Sequence, residues 1–186
     1  LKYFVERVVK SQEHKKIFLL GHSMGGAIAA LYAHHFPEDF NGVIFVSPMF
    51  ELNTGDYPEP FAYTFASIQT WIGRGDVYAL GQSDYNWYPT FDKNRFTHSW
   101  VRFLKHNDII AKSPEIALGG VSYRWLKEAI EATWKIEDIA EGFTVPSILL
   151  QSERDGVVLP DSQNEFCEKT KHCKKIVFPE ALDNIL

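Results

Sequence analysis

A chain of 186 residues with 45% hydrophobic and 23% charged side chains is not a disordered one, and its length sets the expectation of one core with at most a small second lobe. Nineteen Lys and Arg against 24 Asp and Glu leave a formal charge of -5 without any basic block, which argues against nucleic acid as a partner. The longest apolar runs, such as residues 27–33, fall far short of the roughly 18 residues that cross a bilayer as a helix.

Residues 1–10 place apolar side chains at helical spacing, with no signal-peptide pattern. Leu1 is not a methionine and no capping residue precedes this helix, so the chain is expected to begin inside an element, as a piece of a longer protein. Lys15 to Leu20 is a short apolar run ending at a glycine and reads as a buried strand of a parallel sheet. Ala27, Ile28, Leu31 and Tyr32 then recur at helical spacing until Pro37 stops the helix. Gly42 to Ser47 is a second buried strand, and strand, helix, strand makes a right-handed βαβ unit. Residues 49–140 change character, with Gly, Pro and Trp scattered among short helical stretches such as Val121 to Lys135. Pro146 to Gln151 resumes the strand pattern, Asp161 to Lys171 reads as a helix, and Lys174 to Phe178 as a last strand. The sequence therefore predicts an α/β core from residues 1–48 and 141–186, interrupted by a helical insertion, without internal repeats. Cys167 and Cys173 are too few for a disulfide scaffold and have no metal-type cluster around them, which suits a reducing, cytoplasmic compartment.

The stretch that carries chemistry is Gly21-His22-Ser23-Met24-Gly25-Gly26, a G-x-S-x-G set between a predicted strand and a predicted helix. Such a turn is so tight that side chains at Gly21 and Gly25 are expected to collide, and it lifts the Ser23 hydroxyl to the carboxyl edge of the sheet. The helix N-terminus behind it favours a developing oxyanion, and the Met24 backbone N–H is one candidate donor to it. A serine hydroxyl is a poor nucleophile at neutral pH, so it needs a base, and the base an acid, in the chain order Ser, acid, His. Asp155 fits the acid, because Glu153-Arg154-Asp155-Gly156 follows the strand ending at Gln151; an Asx turn is its plainer reading. The base is expected after the last strand, where Pro179-Glu180-Ala181-Leu182-Asp183-Asn184 holds no histidine. His172 belongs at the opposite edge, His22 is expected to point away from the Ser23 oxygen, and His98 and His106 lie in the insertion.

Gly21 to Ala27, together with Thr97-His98-Ser99, Gly119-Gly120-Val121-Ser122-Tyr123-Arg124-Trp125, and Leu149-Leu150-Gln151 leading to Asp155, resembles the α/β-hydrolase serine hydrolases of the lysophospholipase L2 and monoacylglycerol lipase branch. The resemblance covers nearly the whole chain. It implies a partial α/β-hydrolase fold with an inserted helical lid, Ser23 as nucleophile, Asp155 as acid, and a carboxylic ester of a monoacyl lipid as substrate, cleaved through an acyl-enzyme. No cofactor or metal is implied, and a lipid substrate would bring the protein to a membrane surface transiently. The family carries about four more strands ahead of the position of Leu1 and places its histidine where Asp183 stands. A carboxylate of ordinary pKa near 3.9 is a feeble acceptor for a serine proton. Asp183 therefore also suits a catalytically inactive scaffold that binds a lipid or a partner, and the elbow and lid are shared with serine peptidases of the proline-aminopeptidase kind. Residues 50–104 hold roughly half of the aromatic side chains in less than a third of the length, which suits an acyl cleft and equally a lid with its own core.

Overall fold

Four parallel strands run in sequence order across one sheet: β1 (Phe18–His22), β2 (Gly42–Val46), β3 (Ser147–Ser152) and β4 (Cys173–Phe178). The computed structural model describes residues 1–85 and 90–185, so Trp87, Tyr88 and Leu186 lie outside the described residues. A short helix α1 (Lys2–Phe4) continues as a π-turn over Val5–Val9. α2 (Met24–His35) connects β1 to β2, and α6 (Pro160–Lys169) connects β3 to β4. Parallel neighbours need such crossovers, because a tight turn can only return a strand antiparallel.

α2, α5 (Tyr123–Ile139) and α6 pack beside one another on one face of the sheet. That face carries Val43, Phe45 and Leu149, none more than 1% exposed. Phe45, Phe50, Phe143 and Phe166 meet there with centroids 4.6 to 6.0 Å apart, in tilted and edge-to-face contacts, the arrangements favoured by aromatic quadrupoles. The buried stripe of α2 is made of Gly26, Ala27, Ala29, Ala30 and Ala33, while Ile28, expected on the apolar face, is 47% exposed. Alanines let the helix axis come close to the strands, and the larger side chains are pushed to its flanks.

The opposite face departs from the expectation of buried strands. Phe18 and Leu20 of β1 are 59% and 54% exposed, and Ile148 of β3 and Ile176 of β4 are each 39% exposed. β1 is moreover an edge strand, so its apolar run, read as buried, is covered on one side only.

Between β2 and β3 lie α3 (Glu59–Gln69), α4 (Trp100–Lys112) and α5 (Tyr123–Ile139), with one antiparallel bridge joining Tyr78 to Ser122. The segment has its own small core of Ala66, Ala79 and Tyr123. Gly119 and Gly120 are required by closeness: a Cβ at Gly119 would stand 2.6 Å from the Tyr78 hydroxyl, and one at Gly120 2.4 Å from the Gln82 side chain. Ser99 and Ser122 cap α4 and α5 by accepting N–H bonds from Arg102 and Trp125, both at 3.3 Å.

The cysteines, expected as free thiols, are joined: Cys167 on α6 and Cys173 at the head of β4 have Cα atoms 5.2 Å apart and form a disulfide. The chain turns directly from α6 into β4, and the α6–β4 packing brings the two side chains together. With a sequence separation of 6, the loop-entropy estimate is about 2 kcal/mol. Cys167→Ser with Cys173→Ser is expected to lower the melting temperature by about 5 °C, as followed by circular dichroism; an unchanged melting curve would count against the bond.

Candidate active site

β1 ends at His22, and α2 begins at Met24. Ser23 between them has φ 50 and ψ -121, a backbone conformation that costs a non-glycine residue about 1–3 kcal/mol and persists only when its surroundings enforce it. Here the Ser23 N–H donates to the Val46 carbonyl at 3.0 Å, and the Ser23 carbonyl accepts from Gly26 N–H at 2.8 Å and Met49 N–H at 3.0 Å. A Cβ on Gly21 would meet the Gly25 carbonyl oxygen at 2.4 Å, and one on Gly26 the Pro48 Cβ at 2.5 Å. At Gly25, by contrast, nothing lies within 4 Å of an added Cβ. The crowding expected at Gly21 and Gly25 is therefore real at Gly21 and absent at Gly25, which opens outward from the first turn of α2; Gly26 takes its place. The Ser23 side chain makes no capping bond to α2, and the Met24 N–H, first in the helix, has no intrahelical acceptor.

Asp155 lies on the loop after β3. Its Oδ1 accepts from Val157 N–H at 2.8 Å and Val158 N–H at 3.1 Å, while its Oδ2 is buried without a partner among the described residues. The two readings of Asp155 thus coexist: one oxygen builds the Asx turn, and the other is held out of water.

The loop after β4 runs back over this edge. Its Ala181 carbonyl accepts from the Ser152 hydroxyl and, at 3.3 Å, from the Arg154 N–H. Asp183 is only 3% exposed. Its Oδ2 lies 3.4 Å from His22 Nε2, its carbonyl oxygen lies 3.3 Å from the same nitrogen, and its Oδ1 has no partner among the described residues. Burial, and then the negative charge of Asp155, push the Asp183 carboxyl up to about 6, while His22 pulls the other way. Asp183 is therefore not the ordinary carboxylate expected from its residue type. The contact of the His22 ring with Asp183 has no signal in the sequence; the G-x-S pattern gives the position of that ring but not what crosses it.

His98 and His106 are exposed, and neither hydrogen-bonds to Ser23, Asp155 or Asp183. His172 lies at the far edge, where its carbonyl accepts the N–H of Ser147 at the start of β3. A cavity of about 610 Å³ opens between the insertion and the core, reaching Val157 beside the Asp155 turn and lined by Tyr57, Phe61, Phe65, Leu80 and Leu126.

Residues 1–185 match the family described as serine aminopeptidase, S33. The chain belongs to that family. It is 30% identical over 172 residues to lysophospholipase L2 of Escherichia coli K12, an alignment covering 90% of this chain and 49% of the relative. It is 28% identical over 152 residues to monoglyceride lipase of Rattus norvegicus, covering 81% and 45%. The chain thus spans about half the length of the curated relatives it matches. Among solved structures, the monoacylglycerol lipase of Paleococcus ferrophilus superposes with a TM-score of 0.74 at 19% identity, over 99% of this chain and 64% of the other. A soluble variant of the Saccharomyces cerevisiae monoglyceride lipase gives 0.66 at 18%, over 97% and 60%. The fold is that of the α/β-hydrolase lipases and esterases, as a parallel sheet with flanking helices.

For this S33 family member, two measurements test the geometry. Gly21→Ala is expected to prevent folding or lower stability severely, whereas Gly25→Ala is expected to stabilise by up to about 1 kcal/mol; equal effects in thermal melts would contradict the packing. Asp183 titrates near 3.8 when unfolded and about 6 when folded, so the folded state holds the proton more tightly. Stability should fall as pH rises through that window, with the full penalty of about 3 kcal/mol above it. Asp183→Asn is expected to match wild type near pH 3.5 and to exceed it increasingly up to pH 7 in denaturant titrations; parallel pH profiles would refute the burial of a costly charge.

Proposed function

We propose that this chain carries the reacting edge of a serine hydrolase acting on carboxylic esters of monoacyl lipids. The observation that carries the reading is Ser23 itself: a strained, positive-φ serine at a strand-to-helix turn whose hydroxyl is not used as a cap. Ser23 Oγ attacks the ester carbonyl carbon and the bond to the alcohol breaks. The alcohol departs with the proton, and water then releases the acid from the acyl-enzyme. The Met24 N–H, at the N-terminus of α2, is one donor to the oxyanion, and Asp155 is the acid of the charge-relay edge. Gly21 and Gly26 allow the turn to close. Lysophospholipase L2 and monoglyceride lipase among the relatives support a monoacyl lipid ester as substrate. The insertion of residues 49–140 acts as the lid over the core of residues 1–48 and 141–186, and delivery of such a substrate implies transient contact with a membrane surface. No helix among the described residues is long and apolar enough to cross a membrane. The cytoplasmic placement expected from the cysteines rests on free thiols, and the Cys167–Cys173 bond removes that support.

The proton acceptor is the weak element. Asp183 reaches the edge where the base is needed, and its raised pKa makes it a better acceptor than an ordinary carboxylate. It still lacks the second nitrogen by which an imidazole both takes the proton and is oriented by an acid. The pairing of Asp183 with His22 favours a second reading, a binding scaffold with little or no turnover.

Fluorophosphonate labelling followed by intact mass separates the two. Slow labelling of wild type, none of Ser23→Ala, and an acceleration of about 10²-fold or more in Asp183→His are expected if the edge is aimed at Ser23. Failure of both the wild-type and the Asp183→His chains to label while folded would leave the scaffold reading standing.

A further inference from the structure

The cavity beside the Asp155 turn contains a charge that ester cleavage does not use. Among the described residues lining it, Arg95 is the one cation and Asp56 the one acid. Arg95 forms no ion pair or hydrogen bond among the described residues, in contrast to Arg124, which pairs with Asp76, and Arg154, which pairs with Glu180.

Its position is fixed from both sides. Asn94 Oδ1 accepts from the N–H groups of Phe96 at 2.9 Å and Thr97 at 3.1 Å, and its Nδ2 donates to the Thr97 carbonyl at 2.7 Å, so one side chain closes the turn that presents Arg95. The Phe96 carbonyl accepts the N–H of Asn184, next to Asp183, at 2.9 Å. Arg95 Cδ stands 4.0 Å from where a Cβ of Gly156, next to Asp155, would be. Arg95 is thus pinned between the two loops that bring Asp155 and Asp183 to the sheet edge. Across the cavity, Tyr57, Phe61 and Phe65 stack in series with centroids 5.6 and 6.1 Å apart, an apolar wall suited to an acyl chain.

An apolar wall with one unpaired guanidinium at the reacting edge is complementary to an amphiphile with an anionic head. We infer that Arg95 binds a phosphate on the head group of the monoacyl ester, so that this site prefers phosphate-bearing monoacyl lipids over uncharged monoacylglycerols. The inference rests on the reading of this edge as a lipid-ester site. The planar fork of a guanidinium matches two phosphate oxygens at once, and Asp56, on the turn before Tyr57, repels the same anion from its own side of the cavity.

Isothermal titration at submicellar concentration tests this without turnover in the Ser23→Ala chain, which has no hydroxyl to attack an ester, using 1-octanoylglycerol, 1-octanoylglycerol 3-phosphate and octanoate with Arg95 intact and with Arg95→Gln or Arg95→Lys added. Arg95 is exposed, so the variants are expected to fold, which circular dichroism checks. The phosphate ligand should bind about tenfold or more tightly than octanoylglycerol. Arg95→Gln should erase that difference, and Arg95→Lys should retain part of it. Equal binding of the two glycerol ligands, or a preference that survives Arg95→Gln, overturns the assignment. Octanoate that equals the phosphate ligand with the same dependence on Arg95 overturns it as well, since the anion would then be a free carboxylate. If this selectivity is found and the folded chain with Ser23 intact resists fluorophosphonate, the hydrolase reading is lost and the phosphate site is kept.

Discussion

The close approach of α2 to the ends of β1 and β2 is the constraint on which the site depends. Two backbones pass so near each other that a Cβ at Gly21 or Gly26 would overlap atoms of Gly25 or Pro48. The Ser23 carbonyl is taken by two N–H donors at once. With β1 tied to β2 through five paired positions, the residue at the corner has no relaxed conformation left, and Ser23 is forced to positive φ. The strain is thus a consequence of packing a nearly side-chain-free helix start against the strands, and the exposed Met24 side chain is its outward-facing counterpart. Ser47 repeats the device one strand over, with φ 39 and a buried hydroxyl that has no partner. The sheet edge is therefore cornered at two adjacent strands, and both loops that arrive from β3 and β4 must fit around those corners.

What those loops bring is a pair of acids. Asp155 turns one oxygen to backbone donors and leaves the other orphaned, and Asp183 does the same against His22. Two carboxyls in mutual range, both shielded from water, cannot both be comfortably ionised, which is why one of them is displaced upward. The imidazole of His22 offsets part of that cost, but it sits at a fixed place on β1 and is not delivered by a loop. A carboxyl pushed up to about 6 thus stands at this edge, where chain order places an imidazole in a serine triad.

Much of this was legible in the residues. The strands and the βαβ unit followed from short apolar runs ended by glycine or proline, and the elbow from glycines placed between a strand and a helix. The place of Asp155 on the loop after β3 followed from chain order. The misses share one cause: periodicity reports which side chains are apolar but not what lies opposite them. Ile28 looked like core because the alanines beside it carry too little hydrophobic weight to mark the buried stripe. β1 looked buried because a parallel strand is normally covered on both faces. Cys167 and Cys173 looked like thiols because a count of two says nothing about a helix and a strand that meet. The His22–Asp183 contact, between residues 161 positions apart, had no local signal at all.

The two edges of the sheet differ in kind. β4 presents Lys174 and Lys175 and is stapled at its head to α6 by the disulfide; edge lysines are among the ways a strand resists pairing with another chain. On β1, Phe18 and Leu20 are exposed on the face away from the helices. In register, Leu20 is followed by Ile44, Ile148 and then Lys174, so the exposed apolar row that starts on β1 ends at a lysine on β4. Ser23 is positioned by its contacts with α2 and β2, which lie within the buried layer, whereas Asp183 is positioned by a loop that follows β4, a strand whose central residues are exposed. The Ser23 corner is thus held by the well-packed part of the fold, and Asp183 by the more weakly packed part.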